Sequence, residues 1–406
     1  MSNERPKNVE FISLPQKFTF FLILTLMSVA GLVGSDVYLP TLPTIATYFG
    51  KTKEALQLTI SLYLLGLALG QLLLGPITDH FGRKRVLIPC MLLYMVASLA
   101  CAFASNYTLL LISRFFQAVG ASGGLVIGRA IIADLFDPKE AGKVFATIFP
   151  FVGMSPAISP MIGGLIGYYF GWRFNFIFIA IFAIALIILT TLVIQETLPL
   201  LKRKALHLGE VLLAYPRLLR DAGFLFYVIA PCTAYMAFFG YIAESPFIFH
   251  SEGYGERAIG SFYFSLSLTY LAGGIISRKL LSKKSLDAVL SYGFKIFSVG
   301  ALLFFICGIF QSSLLWLILS ISILTLGNGF LIPLGTAGVV GNFSGKVGYA
   351  SGLLGFLQLG VTALVTAYIG HLTQGHVVRL GLFLVGIAIL SLLARKLLSK
   401  TRQDRT

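Results

Sequence analysis

Twelve apolar runs, none shorter than about 20 residues, dominate this 406-residue chain and leave little room for any fold but a membrane bundle. They lie near 18–46, 56–77, 86–105, 107–133, 144–167, 173–194, 224–249, 257–281, 286–310, 313–336, 347–370 and 377–398. At 1.5 Å per helical residue, each crosses a hydrocarbon layer of ~30 Å. Backbone groups cannot stay unpaired in lipid, so each run is expected to be a helix. Composition agrees, because 57% of residues are hydrophobic and only 12% are charged. The polar N-terminus shows no small-residue cleavage site after a short apolar core, so the first run reads as an uncleaved helix.

The net charge of +15 would suggest nucleic acid in a soluble protein. Here the cations lie between apolar runs, and no nucleic-acid partner is expected. With both termini on one side, 23 Lys and Arg fall on that side and five on the other. That asymmetry predicts cytoplasmic termini in an inner membrane. One long polar connection, from Gln195 to Ala222, divides the runs six and six. The expected organisation is a bundle over 1–194, a cytoplasmic linker over 195–222 with a short surface helix near 206–215, and a bundle over 223–406. A glycine followed by basic residues recurs at Gly75 to Arg85 and at Gly273 to Ser285, an internal repeat suited to a two-half transporter.

The loop "GPITDHFGRKR" carries the most specific pattern. Gly75 allows a close helix approach, and Gly82 permits a tight turn. Asp79 suits a helix N-terminus, and Arg83 can pair with a carboxylate at the end of the fourth run, where Asp134 stands. The plain alternative is a solvated basic loop. Gly75, Asp79, Gly82, Arg83, Lys84 and Arg85 resemble the cytoplasmic gate motif of the major facilitator superfamily. The resemblance implies that Asp79 faces the eleventh helix, which should begin near Tyr349.

Arg114, Gln117, Gly120 and Ala121 resemble the same superfamily's fourth-helix motif, with Ala118 replacing a glycine. Arg114 lies about seven residues inside its span, where a guanidinium needs a partner or water. Asp36, about ten residues from the same side, is the candidate partner. Burial and a neighbouring cation act oppositely on a carboxyl group, so conformation can control its protonation. Three readings of Asp36 stay open: a proton carrier, a contact for cationic substrate, and a structural buried pair.

"SDVYLPTLP" around Asp36 resembles the first-helix signature of the Bcr/CflA drug-resistance group of drug:proton antiporters, and "SPF" at 245–247 and "QETL" at 195–198 sit where that group carries similar strings. The resemblance implies proton-driven efflux of small amphipathic compounds such as bicyclomycin or chloramphenicol. Some relatives handle siderophores or other metabolites. In the fifth run only Pro160, Gly163 and Gly164 match the superfamily's antiporter pattern, with Ser159 where glycine is usual. Pro156, Pro160, Gly163 and Gly164 are expected to form a flexing element rather than an ordinary kink.

Tyr38, Phe115, Gln117, Tyr235, Phe239, Tyr241, Glu244 and Asn328 are the candidate substrate-cavity residues. Glu244 also reads as an interfacial carboxylate, and Lys295 as a snorkelling cation. Cys90, Cys101, Cys232 and Cys307 lie in apolar runs, and no metal-ligand or phosphate-loop spacing occurs. The expectation is an all-α major facilitator fold of twelve helices, monomeric, without enzyme activity or cofactor. Its partners are protons, lipid and a small-molecule substrate, exported against inward proton flow. Import of a siderophore or nutrient, and a non-transporting sensor, are the competing expectations.

Overall fold

The computed structural model describes residues 14–136, 138–203, 215–342 and 347–403. All regular structure among them is helical, and twelve helices are long and apolar enough to cross a membrane. The first span is broken into Leu14–Asp36, a tight turn at Leu39–Thr41, and Leu42–Phe49. Then follow Lys53–Phe81, Arg83–Ala102, Tyr107–Leu135, Pro138–Phe170 and Arg173–Val193 as spans two to six. Spans seven to twelve are Ala222–Ser251, Glu256–Leu281, Leu286–Ile309, Leu314–Asn342, Val347–Thr373 and Val377–Gln403. Several helices outrun the expected apolar limits, because a capped helix continues into polar surroundings after hydropathy has fallen. Thr52 and Asn106, for example, accept from the backbone N–H of Ala55 and Leu109.

The break in the first span follows from its prolines. Pro40 has no N–H to donate to the Asp36 carbonyl, and Pro43 none for Leu39. Asp36 is therefore the last residue of a helix rather than the middle of one. The single long helix expected here gives way to a helix end at membrane depth.

Spans one to six pack mainly among themselves, as do seven to twelve. Two long seams join the sets: span two against span eleven, and span five against span eight. Small residues set the closest approaches. A Cβ on Gly164 would lie 2.5 Å from the Glu256 carbonyl oxygen, and one on Gly260 would lie 2.6 Å from that of Pro160. Gly273 packs on the Leu326 backbone, where a Cβ would overlap the carbonyl oxygen. Gly75, its counterpart in the repeat, meets no described atom within 4 Å of a Cβ. Close approach, expected at Gly75, occurs instead five and nine residues earlier, where Gly70 and Gly66 face Ser122 and Phe115. The expected surface helix near 206–215 falls almost wholly outside the described residues. Arg83, Lys84, Arg278 and Lys279 share one end of the bundle, the basic end.

Candidate transport site

At the basic end, Arg83 joins three segments. Its Nε donates to Asp134 Oδ2 at 2.9 Å, and Nη1 donates to Asp79 Oδ1 at 2.5 Å and to Thr78 Oγ1 at 2.7 Å. Gly82 adopts φ +105°, a conformation costly for any residue with a Cβ, and turns the chain so that Arg83 opens the third span. The backbone N–H of Arg83 donates to Glu196 Oε1 at 2.7 Å, and Thr197 Oγ1 donates to Asp134 Oδ2 at 3.0 Å. "QETL" thus closes over the Gly75 to Arg85 loop, a contact that its sequence position alone did not reveal. Lys84 Nζ donates to the Thr191 carbonyl at 2.8 Å, while Arg85 is exposed. Asp79 pairs within its own loop; the side chains at 343–349, where the eleventh helix starts, lie outside the described residues.

The far end is closed across the two sets. Gln57 Nε2 donates to Glu244 Oε1 at 2.9 Å and to the Ala243 carbonyl at 3.1 Å, and Lys53 Nζ lies 3.4 Å from Glu244 Oε2. Glu244 is wholly buried by this contact rather than left at an interface. Thr44 donates to Glu256 beside it. Gly163 sits against the break in the first span, where a Cβ would overlap the Val37 carbonyl oxygen. The glycine pair therefore holds two different neighbours, Gly163 the first span and Gly164 the eighth. Pro160 contributes the carbonyl that meets Gly260.

Between the ends lies a charged cluster. Asp36 and Arg114 are both fully buried. Ser35 Oγ donates to Asp36 Oδ1 at 2.5 Å, and Oδ2 has no hydrogen-bond partner. Arg114 Nη1 donates to the Gly34 carbonyl at 2.8 Å and to Gln117 Oε1 at 2.5 Å, while Nε and Nη2 are unpartnered. The guanidinium lies between two tyrosines, 4.2 Å from the Tyr38 ring centroid and 4.0 Å from that of Tyr63. No ion pair joins Asp36 to Arg114, although the two interact electrostatically. The direct pairing that their similar depths suggest is replaced by a shared backbone: Arg114 holds the carbonyl two residues before Asp36.

A narrow cavity, about 80 Å³ measured to the centres of water-sized molecules, lies beside this cluster. Tyr235, Phe239 and Asn328 line it, with Leu32 one turn before Asp36 and Pro156 of the fifth span. Tyr235 and Phe239 stack at 5.8 Å, and Asn328 Oδ1 is buried without a partner. The other candidate cavity residues stand elsewhere. Tyr38 donates or accepts at Thr59 Oγ1, 2.8 Å away; Gln117 donates to Ser98; Tyr241 packs edge-on to Phe304 inside its own bundle; Phe115 packs on Phe116. Such a cavity holds a few waters, and a drug-sized molecule requires the walls to part.

The model of the family described as Major Facilitator Superfamily matches residues 22–366. The chain belongs to the major facilitator superfamily. Within it, the chain is 28% identical over 395 residues to an uncharacterized MFS-type transporter, YdgK, of Bacillus subtilis (strain 168), covering 95% of this chain and 97% of that one. It is also 28% identical over 365 residues to the multidrug resistance protein MdtL of Shewanella sp. (strain ANA-3), covering 88% and 90%. Its backbone resembles the xylose transporter XylE of E. coli in a partially occluded inward open conformation, with a TM-score of 0.75 at 14% identity over 94% of this chain and 97% of that one. That likeness is one of fold. The protein is a multi-pass membrane transporter of this superfamily.

Proposed function

We propose that this transporter exports small amphipathic molecules by exchange with protons, with its basic end and both termini in the cytoplasm of the inner membrane. The observation that carries the reading is Asp36: a carboxyl group wholly buried at a helix end, with one oxygen unpartnered and no ion pair. Burial and the carbonyl end of a helix oppose its charge, and nearby Arg114 favours it. Movement of the first span against the fourth changes that balance, and so couples proton binding to the rocking of the two halves.

In this scheme the halves part at the far end, Asp36 takes a proton from outside, and substrate leaves. Arg83, Asp134, Asp79 and Glu196 close the basic end in that state. Gln57, Lys53 and Glu244 close the far end in the alternate one. The aromatic pair Tyr235 and Phe239, with Asn328, supplies an apolar wall with one polar contact for cargo. Similarity to the MdtL multidrug resistance protein over most of both chains supports amphipathic compounds as cargo. The test is accumulation of chloramphenicol and ethidium in cells with and without the protein, with and without a proton uncoupler. Lower accumulation that the uncoupler restores is expected. Accumulation unaffected by the protein across such a panel would overturn drug export, and a rise would indicate import.

A further inference from the structure

The wall of the central cavity carries a polar group that no neighbour satisfies. Asn328 of the tenth span is 1% exposed, and its Oδ1 has no hydrogen-bond partner. A buried acceptor without a donor is costly, which points to water or a ligand as its partner.

The residues on either side fix where that amide stands. Gly327 packs on the ninth span, where a Cβ would lie 2.7 Å from the Phe297 backbone nitrogen. Gly329 packs on the eighth, where a Cβ would overlap the Tyr270 carbonyl oxygen. The two glycines draw the tenth helix against both neighbours, and Asn328 between them takes a third direction, into the cavity wall. Thr325 and Ile332 line the same wall, one turn to either side on that helix face. Thr325 already donates its hydroxyl to the Ile321 carbonyl at 2.8 Å, so it does not serve the amide. Asn328 is therefore a polar group held on a rigid support, the arrangement that recognition requires.

The same wall lacks charge. Among the described residues that line the cavity there is no Asp, Glu, Lys, Arg or His. Asp36 and Arg114 stand outside that lining, and the first span contributes Leu32 instead. An ion moved against such a wall loses hydration and gains no counter-charge. Tyr235 and Phe239, stacked 5.8 Å apart, supply apolar surface there.

We infer that Asn328 sets cargo specificity by accepting a hydrogen bond from an uncharged O–H or N–H group, so that the cargo class is a neutral, largely apolar molecule with such a donor in place of a charge. The donor satisfies the amide oxygen, and the apolar body lies on Tyr235 and Phe239. A molecule of the same shape without the donor leaves Oδ1 unpaired, and a site built in this way rejects it. The inference rests on the central cavity being the cargo site; it does not depend on proton coupling or on the direction of transport.

Four ligands on one skeleton test it, by equilibrium dialysis against the purified full-length protein at pH 7 with no gradient. They are 2-naphthylmethanol, its methyl ether, 2-naphthylmethylammonium and 2-naphthoate. The alcohol should bind about tenfold more tightly than the ether, the scale of one hydrogen bond to an otherwise unpaired buried group, and more tightly than either ion. Asn328→Leu, close to asparagine in shape, should bring alcohol and ether within about twofold of each other, and Asn328→Ala should do the same without added bulk. Thermal unfolding at the wild-type temperature shows that a variant is folded. Phe239→Ala should weaken alcohol and ether alike. If it does so while the preference for the alcohol survives both Asn328 variants, this inference alone is overturned. If Phe239→Ala weakens no ligand, the cavity is not the cargo site and the inference falls with it. Tighter binding of either ion than of the alcohol would overturn the neutral class.

Discussion

Gln57 of the second span donates a 2.9 Å hydrogen bond to Glu244 of the seventh, and this contact ties the two halves together at the far end. Lys53 adds its charge 3.4 Å away. Glu244→Ala would leave Gln57 and Lys53 without their shared acceptor. A charge-assisted hydrogen bond of this kind contributes about 1.5–3 kcal/mol, enough to shift a two-state equilibrium by more than tenfold. Spin labels at Ser105 and Ser313, which flank this end on opposite halves, should move to longer distances in Glu244→Ala. An unchanged distance distribution would remove Glu244 from the closure.

Arg83 is expected to be irreplaceable by lysine. Its Nε and Nη2 reach Asp134 while Nη1 reaches Asp79 and Thr78, and an ammonium cannot span them. If this cluster acts as the proposed cytoplasmic gate, away from the cavity that Tyr235 and Phe239 line, Arg83→Lys should cut the transport rate about tenfold with little change in substrate affinity. Glu196→Gln should show the same pattern more weakly, because an amide oxygen still accepts from the Arg83 backbone but without charge. Initial-rate assays on both variants check this.

Two glycines make opposite predictions. Gly163→Ala forces a methyl group into the Val37 carbonyl at the break of the first span, and should lower both thermal stability and activity. Gly75→Ala adds a methyl group where no described atom lies within 4 Å, and helix propensity favours alanine by about 1 kcal/mol. Its activity should stay within about twofold of wild type, judged against the single-kcal/mol scale of such backbone effects. Melting curves and transport rates of the two variants distinguish them.

How far the sequence could be read depends on the range of each interaction. The twelve spans were legible because lipid makes length and hydropathy nearly sufficient for a helix. Arg83 and Asp134 were legible as partners because a basic loop and the end of the fourth span must share one side. Glu196 was not assigned to them, since "QETL" lies 113 residues from Arg83 and nothing local marks it as a lid. Glu244 was placed among cavity residues because its partners, Lys53 and Gln57, stand in the other half. The break after Asp36 was available in Pro40 and Pro43, yet the apolar run concealed it. Helix faces explain the rest: Gln117 and Tyr241 turn into their own bundles, whereas Tyr235, Phe239 and Asn328 turn to the cavity.

Arg114 should respond to substitution differently from Arg83. It is held by the Gly34 carbonyl and by two tyrosine faces, and makes no ion pair. Arg114→Lys keeps the charge near Asp36 but loses the planar stack. Uphill transport should fall about tenfold, the scale of one lost charge-assisted contact, while energy-independent exchange of cargo is largely kept. Equal loss of both activities would make Arg114 a structural anchor only.

Proton coupling through Asp36 is decided by Asp36→Asn in everted membrane vesicles, with a compound that the wild type exports. Vesicles with an acid interior should concentrate the compound when they carry the wild-type protein. With Asp36→Asn they should only equilibrate it, while exchange of labelled for unlabelled compound continues. Concentration by the variant at the wild-type rate would show that protons are coupled elsewhere.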